Sequence, residues 1–278
     1  MIGNGVSHGA ITVINAMPCG IGSTIGVMLR TESRFDPTGE ERIVNISNDP
    51  SENTKMARIC VSETFKRIGM EEPDGWRLDI SSEIPVSRGL KSSSSACNAI
   101  IRSVLDSENV QMDVADRIRL GVDCARKAKV TVTGSFDDAC GCDLGGLVIT
   151  DNEHDTLLLH ENIEEYDVLI HAPKEKIRKT SLPLDKLKSI SSEIEGLIEI
   201  AKTDPLKAMT ENGRLIASVS DIDDSISKLA LENGALGAGV SGSGPAIAIV
   251  LEKGKAKDFI QRTGLKDLII TRTRRIGE

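Results

Sequence analysis

Four consecutive serines, Ser92–Ser95, follow Ile84-Pro85-Val86-Ser87-Arg88-Gly89-Leu90-Lys91, where a strand pattern gives way to a helical one. A helix start exposes unpaired backbone N–H groups and the positive end of its dipole, which suits it to hold an anion such as phosphate. Serine hydroxyls add donors, one of which could ligate Mg²⁺, and Arg88 and Lys91 add positive charge on an otherwise acidic chain. An ordinary helix cap needs one serine, not four. A second stretch, Thr133-Gly-Ser-Phe-Asp137-Asp138, sets two adjacent carboxylates after a Gly-Ser turn. They could serve as a proton acceptor and a metal ligand, or simply open a helix whose dipole favours them. A third, Gly237-Ala-Gly239-Val-Ser241-Gly242-Ser243-Gly244-Pro245, offers backbone with little side chain. That allows either a tight turn or close approach of a ligand.

Familiar alternatives fail. No Gly-x-x-x-x-Gly-Lys-Ser/Thr occurs, so the chain has no P-loop of that type. Gly237 to Gly242 matches G-x-G-x-x-G in letters only, since a helical segment precedes it and Pro245 blocks the helix that should follow. Cys140-Gly-Cys142 has the wrong spacing for a zinc or redox pair. The four histidines, at 8, 154, 160 and 171, form no metal-binding pattern. His8, just ahead of the first strand, could border a site.

The elements that must position these residues alternate between strand and helix. Strand patterns cover residues 10–17, 24–30, 42–46, 76–84, 144–150, 156–160, 168–171, 246–251 and 268–273. Helical patterns cover 53–68, 92–105, 114–128, 187–201, 205–219 and 222–232, with a short helix from about residue 255. Such mixed runs predict an α+β architecture rather than a regular parallel winding. The polar stretch near Asp151–Asp155 divides the chain into 1–152 and 153–278. At 278 residues one large domain or two small ones can bury a full core. A net charge of −8 with one Trp, one Tyr and four Phe supplies neither the basic footprint nor the stacking platforms of a nucleic-acid binder. The most apolar stretch, residues 235–251, is too broken by glycine and proline to span a membrane. Six scattered cysteines and no secretory leader point to a reduced, cytoplasmic setting.

Together the three stretches resemble the GHMP kinase superfamily in order and approximate spacing. Pro85-Val-Ser-Arg-Gly89-Leu90-Lys-Ser92-Ser93-Ser-Ser-Ala96 is similar to its phosphate loop, and Gly239-Val-Ser241-Gly242-Ser-Gly244-Pro245 to its C-terminal glycine motif. Ser7-His-Gly-Ala-Ile-Thr-Val-Ile-Asn15-Ala is similar to its first motif, with Asn15 near the place where some relatives carry a carboxylate. Lys91 and the Asp137-Asp138 pair depart from mevalonate and homoserine kinases and are most similar to the archaeal shikimate kinase branch.

The resemblance implies a two-domain fold, an N-terminal phosphate-loop domain followed by a C-terminal ferredoxin-like domain, with Mg·ATP and the acceptor meeting between them. It implies phosphoryl transfer from ATP to the 3-hydroxyl of shikimate, with backbone N–H groups from Gly89 to Ser95 around the phosphates. Pro85, Val86, Ser87 and Arg88 would complete the nucleotide loop, and Gly239, Ser241, Gly242, Ser243 and Gly244 would lie near phosphate or substrate. Ser93 would ligate Mg²⁺, with Asp138 as a further candidate ligand. Lys91 would neutralise the transferred group and Asp137 would be the base. Rival expectations are another kinase of the superfamily, homoserine kinase first, or a GHMP-fold sensor without turnover.

Overall fold

A computed structural model of the chain describes residues 1–278 apart from 48, 87, 132–133 and 174–183. The first sheet grows from a long antiparallel hairpin, β1 (Gly3–Ile14) and β2 (Ile21–Asp36). Both strands outrun their sequence patterns. Thr31 and Ser33 face inward with their hydroxyls bonded to Ser82 and Ser103, so the buried side of β2 does not read as apolar. Added to the hairpin are β3 (Arg42–Ile46), β4 (Trp76–Ser82), β5 (Leu147–Asp151) and β6 (Thr156–Glu161). The order is β3-β4-β2-β5-β6, with β1 also on β2.

Four helices accompany this sheet: α1 (Lys55–Ile68), α2 (Ser92–Ser107), α3 (Val114–Ala128) and α4 (Phe136–Leu144). Helix α1 buries Ala57, Cys60, Val61, Thr64 and Phe65, the i, i+3, i+4, i+7 stripe of a one-sided helix. Helix α2 is central, buried on most of its circumference, and lies over β1 and β2. At the far end of the core Phe35 packs its ring against both Phe65 and Trp76, at centroid distances of 6.0 and 5.7 Å.

The second sheet contains β7 (Tyr166–His171), β8 (Gly237–Val240), β9 (Ile247–Glu252) and β10 (Leu268–Arg272). All its pairings are antiparallel and the order is β10-β7-β9-β8. Numbered within this half the order is 4-1-3-2, the ferredoxin-like arrangement. Between β7 and β8 run α5 (Leu184–Ser189), α6 (Ser191–Glu195), α7 (Ile198–Thr203), α8 (Pro205–Ser220) and α9 (Ser225–Glu232); α10 (Ala256–Thr263) links β9 to β10. Asp204 caps α8 by accepting from the Lys207 N–H, with Pro205 in the first turn.

Three sequence expectations need correction. The single helix expected over 187–201 is broken into α5, α6 and α7, with Gly196 closing α6. The strand expected from Leu144 starts at Leu147, because Gly145 and Gly146 both take positive φ and end α4 instead. The stretch 237–245, read as a tight turn or a ligand approach, begins as strand, since Gly237–Val240 pairs with β9. A division at 152/153 falls in the β5–β6 connection, and both of those strands belong to the first sheet. The two sheets separate between Glu161 and Tyr166.

The chain then returns to the first sheet beyond β10. The Arg274 N–H donates to the Gly26 carbonyl at 2.8 Å, and the Arg274 carbonyl accepts from the Gly146 N–H at 2.7 Å. No helix among the described residues is long and apolar enough to cross a membrane. All six cysteines are free thiols, five of them buried.

Candidate active site

The serine tract reaches its place through Gly89 and Leu90. Leu90 is buried and pins the loop, while Gly89, at φ 81°, passes directly under the glycine motif. A Cβ at Gly89 would lie 2.0 Å from the Ser241 carbonyl oxygen, so only glycine fits there. Contact between the two motifs is direct. The Ser241 hydroxyl donates to the Gly89 carbonyl at 2.9 Å, and the Ala246 N–H donates to the Arg88 carbonyl at 3.2 Å.

Lys91 precedes α2 in the left-handed region at φ 65°, and no side chain caps the helix. Helix α2 thus opens with its first N–H groups uncapped by a side chain, as an anion site requires. The four serines are not equivalent. Ser92 and Ser93 are half-buried, whereas Ser94 and Ser95 are sealed in. Ser95, expected to face phosphate, directs its N–H to the Lys91 carbonyl at 3.0 Å and lies in the core. Ser87 and Thr133 lie outside the described residues.

The Lys91 ammonium is the hub of the site. It donates to the Thr12 hydroxyl at 2.7 Å and pairs with Asp138 Oδ1 at 2.7 Å. Thr12, on β1, also accepts the Gly242 N–H at 2.7 Å, and Asn15 holds the other side of that loop by donating to the Gly242 carbonyl at 2.8 Å. Asn15 itself is anchored by Asn212 of α8, whose side-chain oxygen accepts the Asn15 N–H at 2.9 Å. Phosphate-loop lysine, first strand and glycine motif therefore converge on one point. Burial alone would lower the Lys91 pKa, but Asp138 and Asp137 outweigh it and hold the ammonium above the usual lysine value.

Asp137 and Asp138 open α4, and Asp137 is the deeper, 3% exposed. Asn152, just beyond β5, grips it twice: its Nδ2 donates to Asp137 Oδ1 at 2.7 Å and its Oδ1 accepts the Asp137 N–H at 3.0 Å. Burial, and then the charge of Asp138, push the Asp137 carboxyl up to about 6, against the opposing pull of Lys91 and Asn152. A carboxyl near 6 is ionised at neutral pH yet basic enough to take a proton.

Among the expected site residues, Gly89, Lys91, Ser241, Gly242, Asp137 and Asp138 fall into this one network or onto its immediate neighbours. Ser243 and Gly244 continue the glycine loop, whose Gly244 N–H closes onto the Ser241 carbonyl at 3.0 Å. Gly239 sits on β8 beneath α8. His8 lies elsewhere, beside Arg30, Arg102 and Arg274. Thr12, Asn152 and Asn212 were not singled out from sequence. Their partners are distant in the chain, and nothing local marks Thr12 or Asn212. The polar stretch after Thr150 reads as an ordinary turn.

Among the described residues no cluster of three or more His, Cys, Asp or Glu side chains is placed to hold a metal by itself.

Comparison with known proteins gives a consistent result. The model of the GHMP kinases N terminal domain matches residues 55–146, and that of GHMP kinases C terminal matches residues 194–264. A protein of Methanobrevibacter smithii named shikimate kinase is 33% identical over 94% of this chain and 91% of its own length. A shikimate kinase of Methanosarcina mazei is 35% identical over 92% of this chain and 88% of its own length. Among solved structures, Methanococcus jannaschii mevalonate kinase superposes with a TM-score of 0.80 at 19% identity, covering 100% of this chain and 98% of that one. That likeness bears on the fold alone.

Proposed function

Since the chain belongs to the GHMP kinases, and among them to the archaeal shikimate kinases, we propose that it transfers the γ-phosphoryl group of ATP to the 3-hydroxyl of shikimate, releasing ADP and 3-phosphoshikimate. The observation that carries this reading is the convergence of Lys91, Thr12 and Gly242 beside a buried carboxylate, at the open end of α2. Phosphoryl transfer depends chiefly on positioning and on stabilising charge as it spreads over the transferred group. The N–H groups of Gly89 to Ser94 supply donors for the β and γ phosphates. Lys91, fixed on two sides, supplies a positive charge that needs little reorganisation.

The donor set fits a Mg²⁺ ion that arrives with ATP. Such an ion keeps several waters, binds substrate phosphates and takes only one or two protein ligands. Ser93, half-buried at the start of α2, is the group assigned to it. When bound, the ion offsets phosphate charge. Oδ1 of Asp138 is committed to Lys91, so the role assigned to Asp138 is to hold that ammonium rather than the metal. Asp137 accepts the proton of the attacking hydroxyl while the bond from the γ-phosphorus to the bridging oxygen breaks and ADP leaves.

The acceptor is tested by coupled ADP release from the purified protein with ATP and shikimate, homoserine or mevalonate. Turnover is expected with shikimate, at least 100-fold faster than with the other two. Turnover with homoserine instead would move the chain to another branch of the superfamily. No release with any acceptor would mean a fold that binds without transfer.

A further inference from the structure

We propose that Asn152 is a positioning residue of the transfer reaction, fixing the Asp137 carboxylate on the main chain of its own helix in a space that Gly22 leaves open. This rests on Asp137 acting as the base.

The geometry is a two-point clamp. One amide meets both the backbone N–H and the carboxylate of a single residue, at 3.0 and 2.7 Å. It takes the place of the missing cap on α4, since Ser135 precedes that helix in a left-handed conformation with no side-chain hydrogen bond to it. The amide is itself held. Thr150 donates its hydroxyl to Asn152 Oδ1 at 2.8 Å, and the Asn152 N–H donates to the Gly20 carbonyl at 2.9 Å. With Oδ1 accepting from two donors, Nδ2 must be the end facing the carboxylate, so the orientation of the amide is set by its surroundings. The far side of Asp137 is bounded by β2. A Cβ on Gly22 would come within 2.5 Å of Asp137 Oδ2, so that oxygen lies over bare backbone. Oδ1 is thus held by the amide, and Oδ2 packs over the bare backbone of β2.

Among the described residues, the charged and titratable groups acting on Asp137 are Asp138 and Cys140 on α4 and Lys91 before α2. Asn152 donates to the ionised form and therefore opposes the upward push of burial and Asp138. Removing it raises the proton affinity of Asp137.

The test is the pH profile of kcat/KM for wild type, Asn152→Ala and Asn152→Asp, beside a ¹³C carboxyl titration of Asp137 by NMR assigned with Asp137→Asn. A charge-assisted hydrogen bond of this kind is worth about one unit of pKa or more. In Asn152→Ala the acidic limb and the NMR titration are expected to move up together by about one unit. Activity at pH 5.5 then falls about tenfold while activity at pH 9 falls less than threefold. Asn152→Asp, which faces Asp137 with a like charge, moves both further and retains the volume if the alanine variant does not fold. A loss equal at every pH, or a carboxyl titration unchanged in both variants, would overturn the proposal. If the NMR titration moves but Asp137→Asn stays within tenfold of wild type, Asn152 controls a carboxylate that is not the base, and the assignment of Asp137 fails instead.

Discussion

The two ends of α4 carry buried carboxylates treated in opposite ways. Asp143, in the last turn, receives Arg102 at 2.8 Å and Arg117 at 2.7 Å, so its charge is compensated twice over. Asp137, in the first turn, meets an amide and shares its surroundings with a second carboxylate. A carboxylate locked between guanidiniums from α2 and α3 ties three helices together. One kept buried beside a like charge is poised to exchange a proton. Nine residues of one helix thus serve both architecture and chemistry.

The largest effect expected from breaking this contrast is at Asp137. Asp137→Asn keeps shape and removes the proton acceptor, so kcat should fall by at least about 100-fold with folding intact. A drop under tenfold would point to positioning alone. In the wild type, kcat/KM should decline as pH falls through about 6, where Asp137 gains its proton.

At the other end the loss should appear in stability, not turnover. Asp143→Ala leaves two arginines facing each other without a counter-charge and should cost about 3 kcal/mol in urea unfolding, the low end because Arg102 is a third exposed. The kcat of the protein that remains folded should stay within threefold. If instead kcat collapses while stability holds, the division of labour along α4 is refuted.

The smallest effect concerns His8, at the same end. Burial, then Arg274, Arg30 and Arg102, lower its pKa to about 4, with Asp143 opposing them. The unfolded chain therefore binds more protons than the folded one between about pH 6.5 and 4, and stability falls as pH drops through that window. His8→Gln should flatten this decline in melting temperature. A decline as steep as wild type would assign it to other groups.

Much of the fold was legible because local rules agreed with the final structure. Trp76, Leu78 and Ile80 alternate with polar residues and form β4, buried at those positions. The α1 stripe ends at Gly69 in the left-handed conformation, as its glycine suggested. The phosphate loop and glycine motif were visible because glycine and serine runs are unusual at an element boundary. The support around them was hidden. Thr12 lies 79 residues from Lys91, and Asn152 was one polar residue in a turn. Hydrogen bonds between side chains far apart in sequence leave no periodic trace. Ser95 misled in the other direction, since its type matched the neighbouring serines while its position in the turn faced inward.

The connector from the first sheet to the second does not run alone. Beyond β10, Thr273 lies beside it, accepting the Tyr166 N–H on its hydroxyl, donating that hydroxyl to the Glu164 carbonyl, and giving its own N–H to the Tyr166 carbonyl. Arg274 then sets its guanidinium on the last carbonyls of α4, 2.9 Å from that of Cys142. The link between the halves is thus two-ply, an outgoing strand and a returning one zipped along their length. Such a joint resists twisting and sliding far better than a single tether, and it ties the orientation of the second sheet to the very helix whose opposite end holds the paired aspartates.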